Sequence, residues 1–181
     1  MSLARLKNFI EEKRKKAEEE KINWEQEKKE WIDKLDELYR MIEDWLKDVD
    51  IKIEYEDIEL FEQRLGKYRT KKMVLDVGGE RVELRPIGTI IIGAKGRVDV
   101  EGPRGKVKIV LVPKDAEGPA IRVRIFTSGA DLKKELEEEK QKTAKPIQWE
   151  WKIATPPPNV KCINLDKDTF SEILLGVVGA D

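Results

Sequence analysis

GTIIIGAKGRVDVEGPRGKVKIVLV, residues 88–112, decides the fold because apolar and polar side chains alternate along it between short glycine-containing segments. A period of two is typical of half-buried β-strands. A turn over residues 102–105, with proline at its second position, gives a register in which the side chains opposite each other are compatible on both faces of the hairpin. One face pairs Val100 with Val107 and Val98 with Ile109, and the other pairs Glu101 with Lys106 and Asp99 with Lys108. We therefore predict an antiparallel hairpin.

The first part of the same stretch predicts a second hairpin. A three-residue loop at residues 94–96, with Gly96 in the left-handed conformation, places residues 90 and 92 opposite Val100 and Val98. A phosphate-binding loop is a second interpretation of these glycines, but the lysine is displaced by one residue from the G-x-x-x-x-G-K-[ST] pattern and strands flank the loop on both sides. The glycines are therefore assigned to turns.

Further strands are predicted on the N-terminal side. Residues 72–86 contain a two-residue turn at Gly78 and Gly79, and the resulting hairpin opposes apolar residues: Leu75 to Val82 and Met73 to Leu84. Residues 51–55 alternate and form the first strand. Residues 57–65 fit either a short helix or a strand, and the sequence leaves that choice open.

The C-terminal side predicts two more strands. Residues 121–125 pair with residues 107–111, and residues 147–153 form an amphipathic strand that carries Trp149 and Trp151 inward.

Two short helices are predicted between and after these strands. Residues 131–142 are almost entirely charged and form a surface helix. Residues 169–178 begin with a capping box of Thr169 and Glu172, present one apolar face, and end before Gly179. This last helix is predicted to pack on the sheet.

Residues 1–50 contain no glycine and no proline, and they predict one long charged helix of about 45 residues and about 70 Å. Ion pairs such as Glu30 with Lys34 support it. Its apolar residues recur every seven positions: Leu3, Ile10, Ala17, Trp24, Trp31, Leu38 and Trp45. The positions three residues further on are mostly charged, so a leucine zipper is incomplete. Only residues 31–49 carry a broad apolar face, which is predicted to pack on the domain that follows.

The N-terminal part of this helix has little to bury it. Residues 11–30 are mainly charged, and four apolar residues form a patch at the tip: Leu3, Leu6, Phe9 and Ile10. We predict a helical arm that binds a protein partner or another copy of the chain through these four residues together with Trp24 and Trp31. The alternative is a bent helix pair that folds back on itself, although nothing in the sequence marks a bend.

The patterns together predict an α+β protein in which a long N-terminal α-helix precedes an antiparallel β-meander and a short C-terminal helix packs on it. Residues 1–50 are the helical arm and residues 51–181 are a β-rich globular domain. The sheet is expected to curl into a roll or partial barrel, because Ile91, Val110 and Val112 on its outer face need cover.

The composition narrows the classes of function. The 36 basic and 37 acidic side chains nearly cancel, so the whole molecule has no net attraction for nucleic acid or an anionic membrane. The absence of histidine excludes histidine-based acid–base catalysis and His-ligated zinc. Asp99 and Glu101 have the residue types of a metal-dependent nuclease, but a lysine lies opposite each. No catalytic residue, metal site or cofactor is assigned.

The middle of the chain carries a basic surplus, with 12 basic and 7 acidic residues between 71 and 130. Seven of the basic residues are assigned to the outer face of the sheet or its turns. Lys95 lies at one turn, and the other six form the candidate anion-binding set: Arg97, Arg104, Lys106, Lys108, Arg122 and Arg124. Such a stripe fits an anion such as a phosphate backbone. No aromatic side chain is interleaved with it, so a platform for base stacking is absent.

The leading hypothesis is a non-enzymatic interaction protein, in which the helical arm mediates self-association or docking on a β-rich platform. A nucleic-acid accessory protein is the alternative, and a metal-dependent enzyme ranks third. No apolar run approaches the roughly 18 residues of a membrane span. The only cysteine, Cys162, is expected to be a small buried residue near a strand, and a cytoplasmic location is expected.

Overall fold

A computed structural model of the chain describes residues 2–89, 94–118 and 146–180. Within these residues one long helix is followed by seven strands and a short helix. Helix α1 spans Ser2–Leu46 and helix α2 spans Lys167–Val178. The strands are β1 Lys52–Glu62, β2 Gly66–Val77, β3 Glu80–Gly88, β4 Gly96–Gly102, β5 Gly105–Pro113, β6 Trp149–Ala154 and β7 Cys162–Asn164. The predicted α+β class is confirmed.

The strands form one open antiparallel sheet whose order follows the sequence from β1 to β7. Two predicted hairpins, β2–β3 and β4–β5, are confirmed with their registers: Met73–Leu84, Leu75–Val82, Val98–Ile109, Val100–Val107, Asp99–Lys108 and Glu101–Lys106. The open choice at residues 57–65 is resolved as strand, because β1 continues to Glu62 and then turns into β2. Alternate residues of the sheet therefore present one apolar face to the helices.

The predicted hairpin loop at residues 94–96 is wrong. Strand β3 extends to Gly88 and pairs with β4 across an irregularity after Pro86. The partners of Val98 and Val100 are Pro86 and Leu84, in place of Ile92 and Ile90. Both registers oppose apolar residues, so the alternation of side chains does not distinguish between them.

Gly96 is required for close packing and does not occupy a left-handed turn position. Its φ is not positive, and it is buried within β4. A β-carbon at this position would lie 2.2 Å from Cζ3 of Trp31. Only glycine allows helix α1 to lie this close to the sheet.

The predicted pairing of β5 with residues 121–125 is also wrong. Strand β5 lies between β4 and β6, where Leu111 is opposite Trp151 and Ile109 is opposite Ile153. The predicted strand at residues 147–153 is thus a central partner of β5. Residues 121–125 and the predicted surface helix at residues 131–142 lie outside the described residues.

Helix α1 packs its C-terminal half on the apolar face of the sheet, as predicted. The buried side chains on this half are Trp31, Leu35, Leu38, Tyr39, Ile42 and Leu46. Six such side chains contribute on the order of 10 kcal/mol before the loss of conformational entropy is counted. Two hydrogen bonds fix the helix to the strands: the Trp151 indole donates to the Lys34 carbonyl at 3.0 Å, and the Tyr39 hydroxyl donates to the Lys71 carbonyl at 2.7 Å.

Helix α2 packs on the same face and begins two residues earlier than predicted. The N-cap is Asp166, whose carboxylate accepts the Thr169 backbone N–H at 2.8 Å, while the Thr169 hydroxyl accepts the Asp166 N–H. The predicted capping box of Thr169 and Glu172 is therefore wrong, because Asp166 completes the motif three residues upstream. Gly179 ends the helix in the left-handed conformation, as predicted.

In the described part of the chain, no helix combines the length and apolar character that crossing a membrane requires.

Candidate interaction surface

The N-terminal half of α1 projects as an exposed helix. Residues 3–23, here called the projecting arm, are exposed at every position, and Trp24 is the first side chain that packs against the core. The projecting arm is about 30 Å long at 1.5 Å per residue. Because α1 is one continuous helix from Ser2 to Leu46, the chain does not form the alternative folded-back helix pair.

The projecting arm carries apolar side chains on one side. Its tip exposes Leu3, Leu6, Phe9 and Ile10, with exposed fractions of 76, 54, 56 and 41%. The seven-residue step continues from the tip through Ala17 to Trp24 and then to the core residue Trp31. A seven-residue step rotates the position by only about 20°, so these residues lie on the side of the helix that faces the core further along. We call Leu3, Leu6, Phe9, Ile10, Ala17 and Trp24 the stripe.

Trp31 does not belong to this exposed set, contrary to prediction. It is 2% exposed, and its ring centroid lies 6.0 Å from that of Trp151. Trp24, one step earlier, is half-buried and keeps part of its ring at the surface. The stripe therefore ends at Trp24, where the sheet begins to cover the helix.

A groove of about 650 Å³ opens between α1 and the strands, one to two helical turns beyond Trp24. Trp31, Leu111 and Trp149 provide apolar walls. Charged side chains surround them: Glu27, Glu30, Lys34, Arg64 and Lys95. An apolar floor with a polar rim is typical of a site that receives apolar side chains.

Ion pairs across the groove hold its rim together. The Lys95 ammonium lies 2.8 Å from the Glu30 carboxylate and 5.3 Å from the centroid of the Trp149 ring. The hydrogen bond from Lys95 lowers the pKa of Glu30 below its ordinary value of 4.5, although partial burial acts in the opposite direction. On the other side, Arg64 lies 3.3 Å from Glu27. The rim charges are thus matched within the chain, which favours an apolar ligand over a free ion.

A buried carboxylate beside the groove was not predicted. Glu62 is 7% exposed and accepts hydrogen bonds from the Tyr68 hydroxyl, from the Thr89 backbone N–H at 3.1 Å and from the Thr89 hydroxyl at 2.6 Å. Burial, together with the bond to Glu62, raises the pKa of Tyr68. These three donors satisfy the carboxylate. The bonds to Glu62 also hold Thr89 in place, and Thr89 is one of the residues that line the groove.

The predicted anion-binding residues are partly engaged by carboxylates. Arg97 binds the buried Asp99 through two hydrogen bonds of 2.6 and 2.8 Å, and Lys106 lies 3.6 Å from Asp99 and 3.7 Å from Glu101. Arg104 and Lys108 are exposed, on the β4–β5 turn and on β5. Arg122 and Arg124 lie outside the described residues. The carboxylates reduce the positive potential that a phosphate backbone would meet here.

Two further site predictions concern metals and the thiol. Among the described residues, no three His, Cys, Asp or Glu side chains come close enough to hold a metal ion. Cys162 is half-buried on β7, and burial raises the pKa of its thiol although Lys152 acts in the opposite direction. The thiol is therefore mainly protonated at neutral pH, as expected for a structural cysteine.

Comparison with known proteins found no family model, no curated protein and no solved structure that matches this chain.

Proposed function

We propose that the protein is a non-enzymatic interaction protein in which the projecting arm joins two copies of the chain and the sheet with α2 forms the platform that carries it. One observation carries this proposal: the four tip residues of the stripe stay exposed on a helix whose other half is built into the core. The apolar residues of the stripe continue the face that α1 buries in the core, and they keep the same spacing along the helix. Such a row is typical of a surface that packs against another protein chain.

Burial of the apolar tip offers a free energy comparable to the cost of forming a dimer. A Leu, Ile or Phe side chain contributes about 1.5–3 kcal/mol when it is fully buried. The four tip residues of each copy would together contribute on the order of 10 kcal/mol in a dimer, which is comparable to an association cost of about 4–15 kcal/mol. We therefore expect an equilibrium between monomer and dimer that depends on protein concentration.

Co-purification of two differently tagged copies tests this proposal. When both full-length copies are co-expressed and one tag is used for purification, the copy that carries the other tag should be recovered with it. Leu6→Glu together with Ile10→Glu should abolish recovery, because the charged side chains prevent burial of the tip. Ile22→Glu is the matched control, since Ile22 is 66% exposed on the opposite side of the same helix. Recovery that survives the first pair of substitutions, or that is lost equally with Ile22→Glu, contradicts the proposal.

We also propose a reducing compartment such as the cytoplasm for this protein. Its support is the single thiol, Cys162, which has no second cysteine in the chain with which to form a disulfide.

A further inference from the structure

Charge is segregated along the helix that carries the stripe. Residues 1–17 contain six basic and two acidic side chains, whereas residues 18–30 contain six acidic and three basic side chains. Ala17, an exposed residue with a small side chain, lies at the boundary between the two halves. The helix is thus positive near its tip and negative near the sheet.

We infer that the projecting arms of two copies pair antiparallel, with their midpoints at Ala17; this inference rests on the proposed self-association. In a parallel pair the two basic halves would lie side by side, and so would the two acidic halves. In an antiparallel pair each basic half lies along the acidic half of the other copy. A single exposed ion pair contributes only about 0.2–1 kcal/mol, but the sum over both halves selects one orientation and disfavours the other.

The register follows from the stripe. With the midpoint at Ala17, residue 10 of one copy lies opposite residue 24 of the other, so Ile10 meets the exposed part of Trp24 of the partner subunit. Arg14 then lies opposite Glu20 of the partner subunit, and Lys7 opposite Glu27 of the partner subunit. The two Ala17 side chains meet at the symmetry axis, where their small size allows the helices to approach closely.

This register brings the tip of each helix to the groove of the other copy. Residue 3 lies opposite residue 31, so Leu3 of the partner subunit reaches the mouth of the groove at Trp31. The occupant of the groove is therefore the tip of a second copy. Because the pairing is symmetric, each dimer contains two such contacts and closes without leaving a free binding end.

Disulfide cross-linking in full-length protein tests orientation and register together. All variants carry Cys162→Ser, so that the introduced thiol is the only one. In an antiparallel pair, the distance between identical residues grows by about 3 Å along the axis for each residue away from the midpoint. Ala17→Cys should therefore form a disulfide-linked dimer readily, because its two thiols meet.

Lys13→Cys and Lys21→Cys provide matched controls on the same side of the helix. In the dimer, each introduced cysteine lies about 12 Å along the axis from the same cysteine of the other copy. This distance exceeds the Cα–Cα distance of about 4.4–6.8 Å that a disulfide allows. Neither should cross-link with itself, whereas a mixture of the two should, because residues 13 and 21 lie opposite each other. Both substitutions also remove a like-charge contact, so they should not weaken the dimer.

The outcomes separate this inference from the function on which it rests. Self-cross-linking of all three single variants to a similar extent would show a parallel pair, and would overturn the antiparallel arrangement while leaving self-association intact. Cross-linking of Lys13→Cys or Lys21→Cys with itself, without Ala17→Cys, would place the midpoint elsewhere and overturn the register. A monomer by molar mass in every variant would overturn both.

Discussion

The ring of Trp31 lies directly against the backbone of Gly96, where a β-carbon would be only 2.2 Å from the ring. This contact fixes α1 against the sheet seven residues beyond Trp24, the first side chain of the helix that packs against the core. Residues 3–23 before it are exposed and Trp24 is half-buried, whereas five of the fifteen side chains after it are buried: Leu35, Leu38, Tyr39, Ile42 and Leu46. The contact therefore holds against the sheet the part of α1 that follows the stripe.

Gly96→Ala should lower the free energy of unfolding by about 1–3 kcal/mol, because the added methyl group forces Trp31 away from β4. Gly105→Ala is the matched control on the neighbouring strand, where a β-carbon has open space and φ is not positive. It should change stability by less than about 0.5 kcal/mol. Urea denaturation measures both values, and equal effects of the two substitutions would refute the packing role of Gly96.

Glu62→Ala should lower the free energy of unfolding by about 2–3 kcal/mol, because it leaves the Tyr68 hydroxyl and the Thr89 donors without their acceptor. Glu59→Ala removes an exposed carboxylate from the same strand, where Glu59 pairs with Lys67, and should cost less than about 1 kcal/mol. The two variants are compared by chemical denaturation at neutral pH. A cost for Glu62→Ala no larger than that for Glu59→Ala would show that the buried carboxylate does not anchor Thr89.

The buried Lys72 should make stability depend on pH. Its ammonium lies 2.9 Å from Glu56 and 3.1 Å from Glu83. Hydrogen bonds from Arg81 and Lys72 lower the pKa of Glu56; for Glu83, burial acts to raise the pKa, but the bonds from Lys72 and Arg81 lower it overall. A lowered carboxyl pKa stabilises the folded state above the ordinary value of 4.5, and this contribution is lost as the pH falls through the lowered pKa.

Lys72→Met measures this linkage. The variant should be less stable than the parent protein at pH 7, and the difference between the two should be smaller at pH 3, because the two carboxyls become protonated as the pH falls through their lowered pKa values. Denaturant unfolding at the two pH values provides the comparison. A difference of the same size at both would mean that Lys72 contributes through its packing and not through its charge.

Asp166→Ala should destabilise the protein by about 1 kcal/mol, because the Thr169 N–H loses its acceptor at the start of α2. Glu172→Ala, which would disrupt the capping box expected from the sequence, should have an effect below about 0.5 kcal/mol. Thermal unfolding of the two variants distinguishes the caps. A larger effect of Glu172→Ala would place the start of the helix at Thr169.

The sequence alone was sufficient to predict the pairing register of two strands where a tight turn joins them. The turns at Gly78 with Gly79 and at residues 102–105 leave one pairing that opposes apolar residues on one face, and both pairings are present. It was insufficient where two segments alternate in the same way, since residues 82–86 and 90–92 both offer apolar partners to β4. The longer extent of β3 follows from contacts with Glu62 that are distant in sequence.

The candidate site shows the same limit. Exposure of the tip could be predicted because residues 3–10 precede a long charged segment with nothing to cover them. The sequence placed Trp31 both in the packing face of residues 31–49 and in the exposed binding set, because its seven-residue spacing is identical on both sides of the point where the sheet begins. Glu30 was expected to pair with Lys34 on the same helix, but its partner is Lys95. Lys95 lies immediately before β4, and the fold brings it next to Glu30 at the groove. A groove built from such distant residues leaves no local pattern.

The molar mass of the full-length chain in solution tests the central claim most directly. Sedimentation equilibrium over a wide range of protein concentrations should show a mass that rises from the 21.0 kDa of one chain towards twice that value. With Leu6→Glu and Ile10→Glu the mass should stay at that of one chain, while Ile22→Glu should behave like the parent protein. A mass of one chain at every concentration, or a dimer that persists when both tip residues are charged, would contradict self-association through the stripe.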